Sequence, residues 1–176
     1  STIVVVAASL LLYNLTRNLK DRIARTSGVV LGCVTVCYIS DVLIALEPGP
    51  GTFEALLRFQ WVGLAFIPAA MFHLSDSLLA TTGLPSRGRR RRIIRLLYVI
   101  GALFLILASF TDMLIEPIPI DNFISLDAGP LFPVYIAYYI IVNGIALFNV
   151  ERARQRCITR STKRRMAYLE IALLTP

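Results

Sequence analysis

Apolar residues in this chain come in long runs with no alternating pattern. Val29 to Leu46, Leu56 to Leu79, Ile93 to Ile115 and Leu131 to Val150 are almost continuous stretches of aliphatic, aromatic and small side chains. A strand is too short for such a run, and a helix on a soluble surface would show a polar stripe. Crossing about 30 Å of hydrocarbon takes roughly 20 helical residues, so each run predicts a membrane span. Two further apolar segments are incomplete, residues 1–15 and the one that starts at Ala167. The pattern predicts an all-α, polytopic transmembrane helix bundle of five spans plus the start of a sixth. Their approximate limits are 1–15, 29–46, 56–79, 93–115, 131–150 and 167 onward, within a single domain over 1–176. With Ser1 in place of an initiator Met and an unfinished last run, the chain reads as part of a longer polypeptide. Residues 1–15 lack the basic start and small-residue cleavage site of a signal peptide.

Composition agrees with the pattern: hydrophobic residues make up 56% and charged residues 16%, and mean hydropathy is +0.69. The placement of charge adds orientation. Every basic residue except Arg58 lies in the first, third or fifth connection. The second and fourth connections carry Glu47, Glu54, Glu116, Asp121 and Asp127. By the positive-inside rule the basic connections are cytoplasmic and the N-terminus is outside. This predicts a multi-pass membrane protein.

The run RGRRRR sits in a turn between spans, without the converging aromatic and polar readers of a nucleic-acid groove. Anionic membrane lipids at the Arg-rich loops are the expected partners, not nucleic acid. In the outer connections, Leu46-Glu47-Pro48 and Ile115-Glu116-Pro117 are expected to end helices. The second outer connection, about 15 residues without clear periodicity, is long enough to cap the bundle.

Ionisable groups inside spans are costly and normally face protein or water. Arg58 and Asp76, eighteen positions apart, share one line of the third span; Ala65 and Ala69 lie close to it, and His73 lies nearby. This is the face expected to pack on other helices, with Pro68 bending it. Arg58 is within reach of Asp41 or Asp112, which predicts an outer ion-pair cluster. His73 and Asp76 are positioned to interact at i, i+3. They either hold helices in register or form part of a sensing face with Arg58 and Pro68. Trp61, Phe132 and Tyr135 fall where an outer aromatic belt is expected, Tyr13 and Tyr98 where an inner one is.

The sequence contains no nucleophile elbow, P-loop or dinucleotide fingerprint, and an enzyme is not expected. A single His without clustered Cys, Asp or Glu does not make a metal site. No cofactor is expected; a pigment or haem on His73 is the alternative. Cys33 and Cys37, one turn apart, read as small packing residues.

The order of a span ending YNLTRNLKDRIAR, a later span with WVGLAFIPAAMFHLSDSLL, a basic turn, two further spans and then TKRRMAYLEIALL resembles a known pattern. It is similar to the N-terminal seven-span membrane input region of bacterial sensor histidine kinases and related membrane signalling proteins. The resemblance implies a membrane-embedded sensory input that relays a signal to a cytoplasmic output module, and no catalytic residues. The alternative is a non-catalytic accessory or structural subunit of a larger respiratory or photosynthetic complex, contacting lipid or pigment. Other membrane subunits or a homodimer partner fit either reading.

Overall fold

A computed structural model describes residues 22–46, 49–82, 88–120 and 123–156. The elements are α1 (Arg22–Ile44), α2 (Pro50–Thr81), α3 (Gly88–Phe110), β1 (Ile115–Ile120), β2 (Phe123–Ala128) and α4 (Phe132–Arg156). Four helices, Arg22–Ile44, Gly51–Thr81, Gly88–Phe110 and Phe132–Arg156, are long and apolar enough to cross a membrane. Among the described residues the spans number four, so the expected five plus the start of a sixth is not supported; the segments 1–15 and 167 onward lie outside the described residues.

Helix α2 is the hub, and α1, α3 and α4 each pack against it. Its centre is lined with small residues, Ala65, Ala69 and Ala70, all fully buried. Apolar lipid offers no hydrophobic drive for helices to associate, so close backbone approach and polar contacts must supply it. Two glycines mark these crossings. A Cβ on Gly63 would collide with the Cys33 carbonyl oxygen and Cys37 Sγ of α1, and one on Gly101 would come within 2.8 Å of the Ala65 carbonyl oxygen.

Helix α3 has two apolar stripes. Ile94, Leu97, Gly101, Phe104 and Ala108 face the bundle, while Leu96, Val99, Leu103, Ile106 and Phe110 are exposed. In α1 the buried positions are the small or hydroxylated Thr26, Gly28, Thr35 and Ser40, and Val29, Ile39 and Leu43 point out. That arrangement suits lipid and would be unstable in water. Each of the three hydroxyls returns its hydrogen to a carbonyl one turn back, at 2.7 to 3.1 Å, so none is left unsatisfied in the apolar interior.

The helices reach past their apolar runs. α1 begins at Arg22, seven residues before Val29, and α3 starts at Gly88 within the arginine run. Intrahelical hydrogen bonds satisfy the backbone whatever the side chain, and arginine stems lie along the helix while their heads reach the interface. At its other end α3 stops at Phe110, five residues before the expected Ile115. The Pro-containing segment instead forms an antiparallel hairpin, with Ile115 opposite Ala128 and Ile120 opposite Phe123. Proline's bias toward extended backbone, read as a helix stop, acts here to favour a strand. The hairpin base is anchored: Leu114 and Ile115 are buried with Trp61, Phe104, Ala108 and Tyr135. Gly129 N–H donates to the Leu114 carbonyl, so close to Met113 and Leu114 that no side chain fits.

Candidate functional site

The site is at the Arg-rich end of the bundle, where the starts of α1 and α3 meet the last turns of α2. Asp76 is almost wholly buried there, with 2% of its side chain exposed. Arg22 of α1 donates from Nη2 to Asp76 Oδ2 at 3.2 Å. Arg90 of α3 places Nη1 3.5 Å from the other oxygen, within charge attraction but beyond a good hydrogen bond. One carboxylate on α2 therefore clasps two neighbouring helices. Ser75 and Ser77 flank it, both buried, bonded back to the carbonyls of Phe72 and His73. The adjoining cluster of Leu74, Leu78, Leu79, Val150 and Ala153 brings the end of α4 to the same place.

His73 and Asp76 share a face but turn to different neighbours. His73 Nδ1 lies 3.4 Å from the Tyr98 hydroxyl of α3, and the two rings meet edge to face. Asp76 looks instead to Arg22 and Arg90. Pro68, fully buried inside α2, lies about one and a half turns above His73. Among the described residues, no group of three or more His, Cys, Asp or Glu could hold a metal ion.

At the opposite end Arg58 makes the larger set of contacts. It donates to Glu54 at 3.0 Å, to Asp112 at 2.8 Å and to the Ala108 carbonyl at 2.9 Å. It thus pins the last turn of α3, where unpaired carbonyls and the helix dipole favour a cation. Asp41 does not join this group; Gln60 Nε2 donates to it at 2.8 Å, tying α1 to α2. Trp61 and Tyr135, expected in an interfacial belt, are buried at 5% and 4% exposure. Their rings stack edge to face at 4.9 Å, and the Tyr135 hydroxyl donates to the Leu64 carbonyl at 2.9 Å. These aromatics are core, with their polar tips satisfied inside the bundle.

The sequence reading missed Arg22, Arg90 and Tyr98 as partners because arginines beside a span read as topology signals. A sole carboxylate three residues from the histidine, between two arginine-bearing turns, was the available clue.

These features define a multi-pass helical membrane protein whose polar contacts sit at the two ends of a tightly crossed bundle. The chain belongs to the family described as the N-terminal 7TM region of histidine kinase, whose family model matches residues 1–176. It is thus a membrane sensory region, the non-catalytic input part of that architecture. No curated protein and no solved structure matches the chain.

Proposed function

We propose that this chain senses a signal in or at the bacterial cytoplasmic membrane and relays it to a cytoplasmic output module. In this reading the N-terminus is outside, residues 1–15 form a further span, another starts at Ala167, and the Arg-rich ends face the cytoplasm. The observation that carries it is the Asp76 clasp in a chain matched over its whole length by a histidine-kinase input family. Three helices meet on one buried charge at the end nearest an output module. A shift of α1 or α3 there changes how that charge is shared. Such an element relays a signal if two arrangements exist and a stimulus favours one of them. His73, Pro68 and Tyr98 lie next to the clasp along the bundle, and Arg58 with Asp112 holds the far end of α3. Anionic lipids at the arginine turns and a second copy of the chain are the proposed partners.

The test is phosphate incorporation from labelled ATP into the whole gene product in membrane vesicles. Asp76→Asn keeps the shape and removes the charge, and Tyr98→Phe removes only the bond to His73. At equal membrane abundance, Asp76→Asn is expected to shift steady phosphorylation severalfold and Tyr98→Phe by less. Wild-type phosphorylation in both variants would contradict the relay.

A further inference from the structure

Two cavities lie between α1, α2 and α3. One, of about 360 Å³, is lined by Arg22, Arg25, His73, Arg91, Ile94 and Arg95. The other, of about 380 Å³, is almost wholly apolar and includes Val29, Gly32, Val36, Val62, Phe66 and Tyr98. The two meet in one contact, since Tyr98 of the apolar groove shares its hydroxyl with His73 of the basic cavity at 3.4 Å.

The helical register makes them a single feature. On α1 the lining residues Arg22, Arg25, Val29, Gly32 and Val36 advance in steps of three and four, one continuous stripe. On α3, Arg91, Ile94, Arg95 and Tyr98 fall at i, i+3, i+4 and i+7, which also lie on one face. From Arg22 to Val36 the stripe is about 21 Å long, more than half the thickness of a hydrocarbon core of about 30 Å. Charge at the two ends differs completely. Among the described residues Arg25, Arg91 and Arg95 pair with no carboxylate, and Asp76 is already shared by Arg22 and Arg90. The basic end therefore carries an excess of positive charge, next to a groove that offers almost no polar surface.

We propose that this cleft binds an anionic amphiphile, with its phosphate headgroup among Arg25, Arg91 and Arg95 and an acyl chain along Val29, Gly32, Val36 and Phe66. Guanidinium forks match phosphate oxygens, and basic pockets between spans suit acidic headgroups. The headgroup lies beside Arg22, so its occupancy bears directly on the Asp76 clasp. This names a ligand class for the sensory reading and rests on that reading for the consequence of binding, not for binding itself.

The test is lipid retention in native mass spectrometry of the whole gene product in neutral detergent. Phosphatidylglycerol is compared with phosphatidylcholine of identical chains, and inorganic phosphate is tested separately. Phosphatidylglycerol is expected to be retained about tenfold better. Arg91→Gln with Arg95→Gln should abolish that preference. Arg89→Gln with Arg92→Gln removes the same charge from exposed neighbours outside the cavity and should change retention less than about twofold. Gly32→Leu, at a position where an added Cβ meets open space, should fill the groove and lower lipid retention severalfold.

Equal loss in both arginine pairs would reduce the effect to general surface charge and overturn the proposal. So would an inert Gly32→Leu, or inorganic phosphate displacing the lipid, which would mark a free-phosphate site. Retention as expected, with phosphorylation indifferent to the lipid, would leave the lipid site standing and overturn its part in the relay; the sensory reading itself falls only with the Asp76 and Tyr98 variants.

Discussion

Replacing Arg22 and Arg90 together by methionine is expected to destabilise the bundle by about 3–5 kcal/mol, more than replacing Asp76 itself. The asymmetry follows from burial. Asp76 has 2% of its side chain exposed, whereas Arg22 and Arg90 have 36% and 30%. Without the arginines the carboxylate stays buried and loses both of its counter-charges. Without the carboxylate, each arginine can swing its head to the interface at modest cost. Asp76→Leu is therefore expected to cost about 1–3 kcal/mol. Denaturant titration in mixed micelles reads both values. A larger loss for Asp76→Leu would mean that the clasp acts through the arginines' need for a partner and not through the buried charge.

The second large effect is expected at Gly63. An alanine there has no space, because its Cβ would overlap the Cys33 carbonyl and Cys37 Sγ of α1. Backbone cannot yield as a side-chain tip can, so α1 and α2 must separate, at about 1–3 kcal/mol or more. Gly144→Ala, where an added Cβ meets open space, should be neutral or stabilising by up to about 1 kcal/mol, since alanine favours helix. The same titration checks the pair. If Gly63→Ala behaved like Gly144→Ala, the close α1–α2 crossing would be refuted.

Several features of the bundle were legible in the sequence because one physical constraint dominates it. A bilayer fixes the length of an apolar helix, and four runs met that length. The small residues Ala65 and Ala69 marked the packed face because close approach is what holds helices together in lipid. Helix ends were less legible. The length rule counts apolar side chains, while a helix continues as long as its backbone bonds are satisfied. Arg22 and Arg90 lie in such continuations, and for that reason the partners of Asp76 escaped notice.

The hairpin was hidden by ambiguity of another kind. In IEPIPI, proline's preference for extended backbone fits a helix stop and an edge strand equally well. Pairing with FISLDA across two residues resolves it, and Asp121-Asn122 between two six-residue segments was the usable sign. Trp61 and Tyr135 had a similar double meaning. Amphipathic rings suit an interface, yet here each is buried in the core, the Tyr135 hydroxyl bonded to the Leu64 carbonyl of α2.

In the proposed orientation the clasped, arginine-rich end of the bundle faces the cytoplasm and the hairpin end faces out. Labelling with a membrane-impermeant thiol reagent tests it most directly, using single cysteines at exposed Gly88 and Asp127 in a chain whose native cysteines are alanine. Asp127→Cys is expected to react in intact cells and Gly88→Cys only in inverted vesicles. Gly88→Cys reacting from outside while Asp127→Cys is protected would reverse the proposed orientation of the bundle.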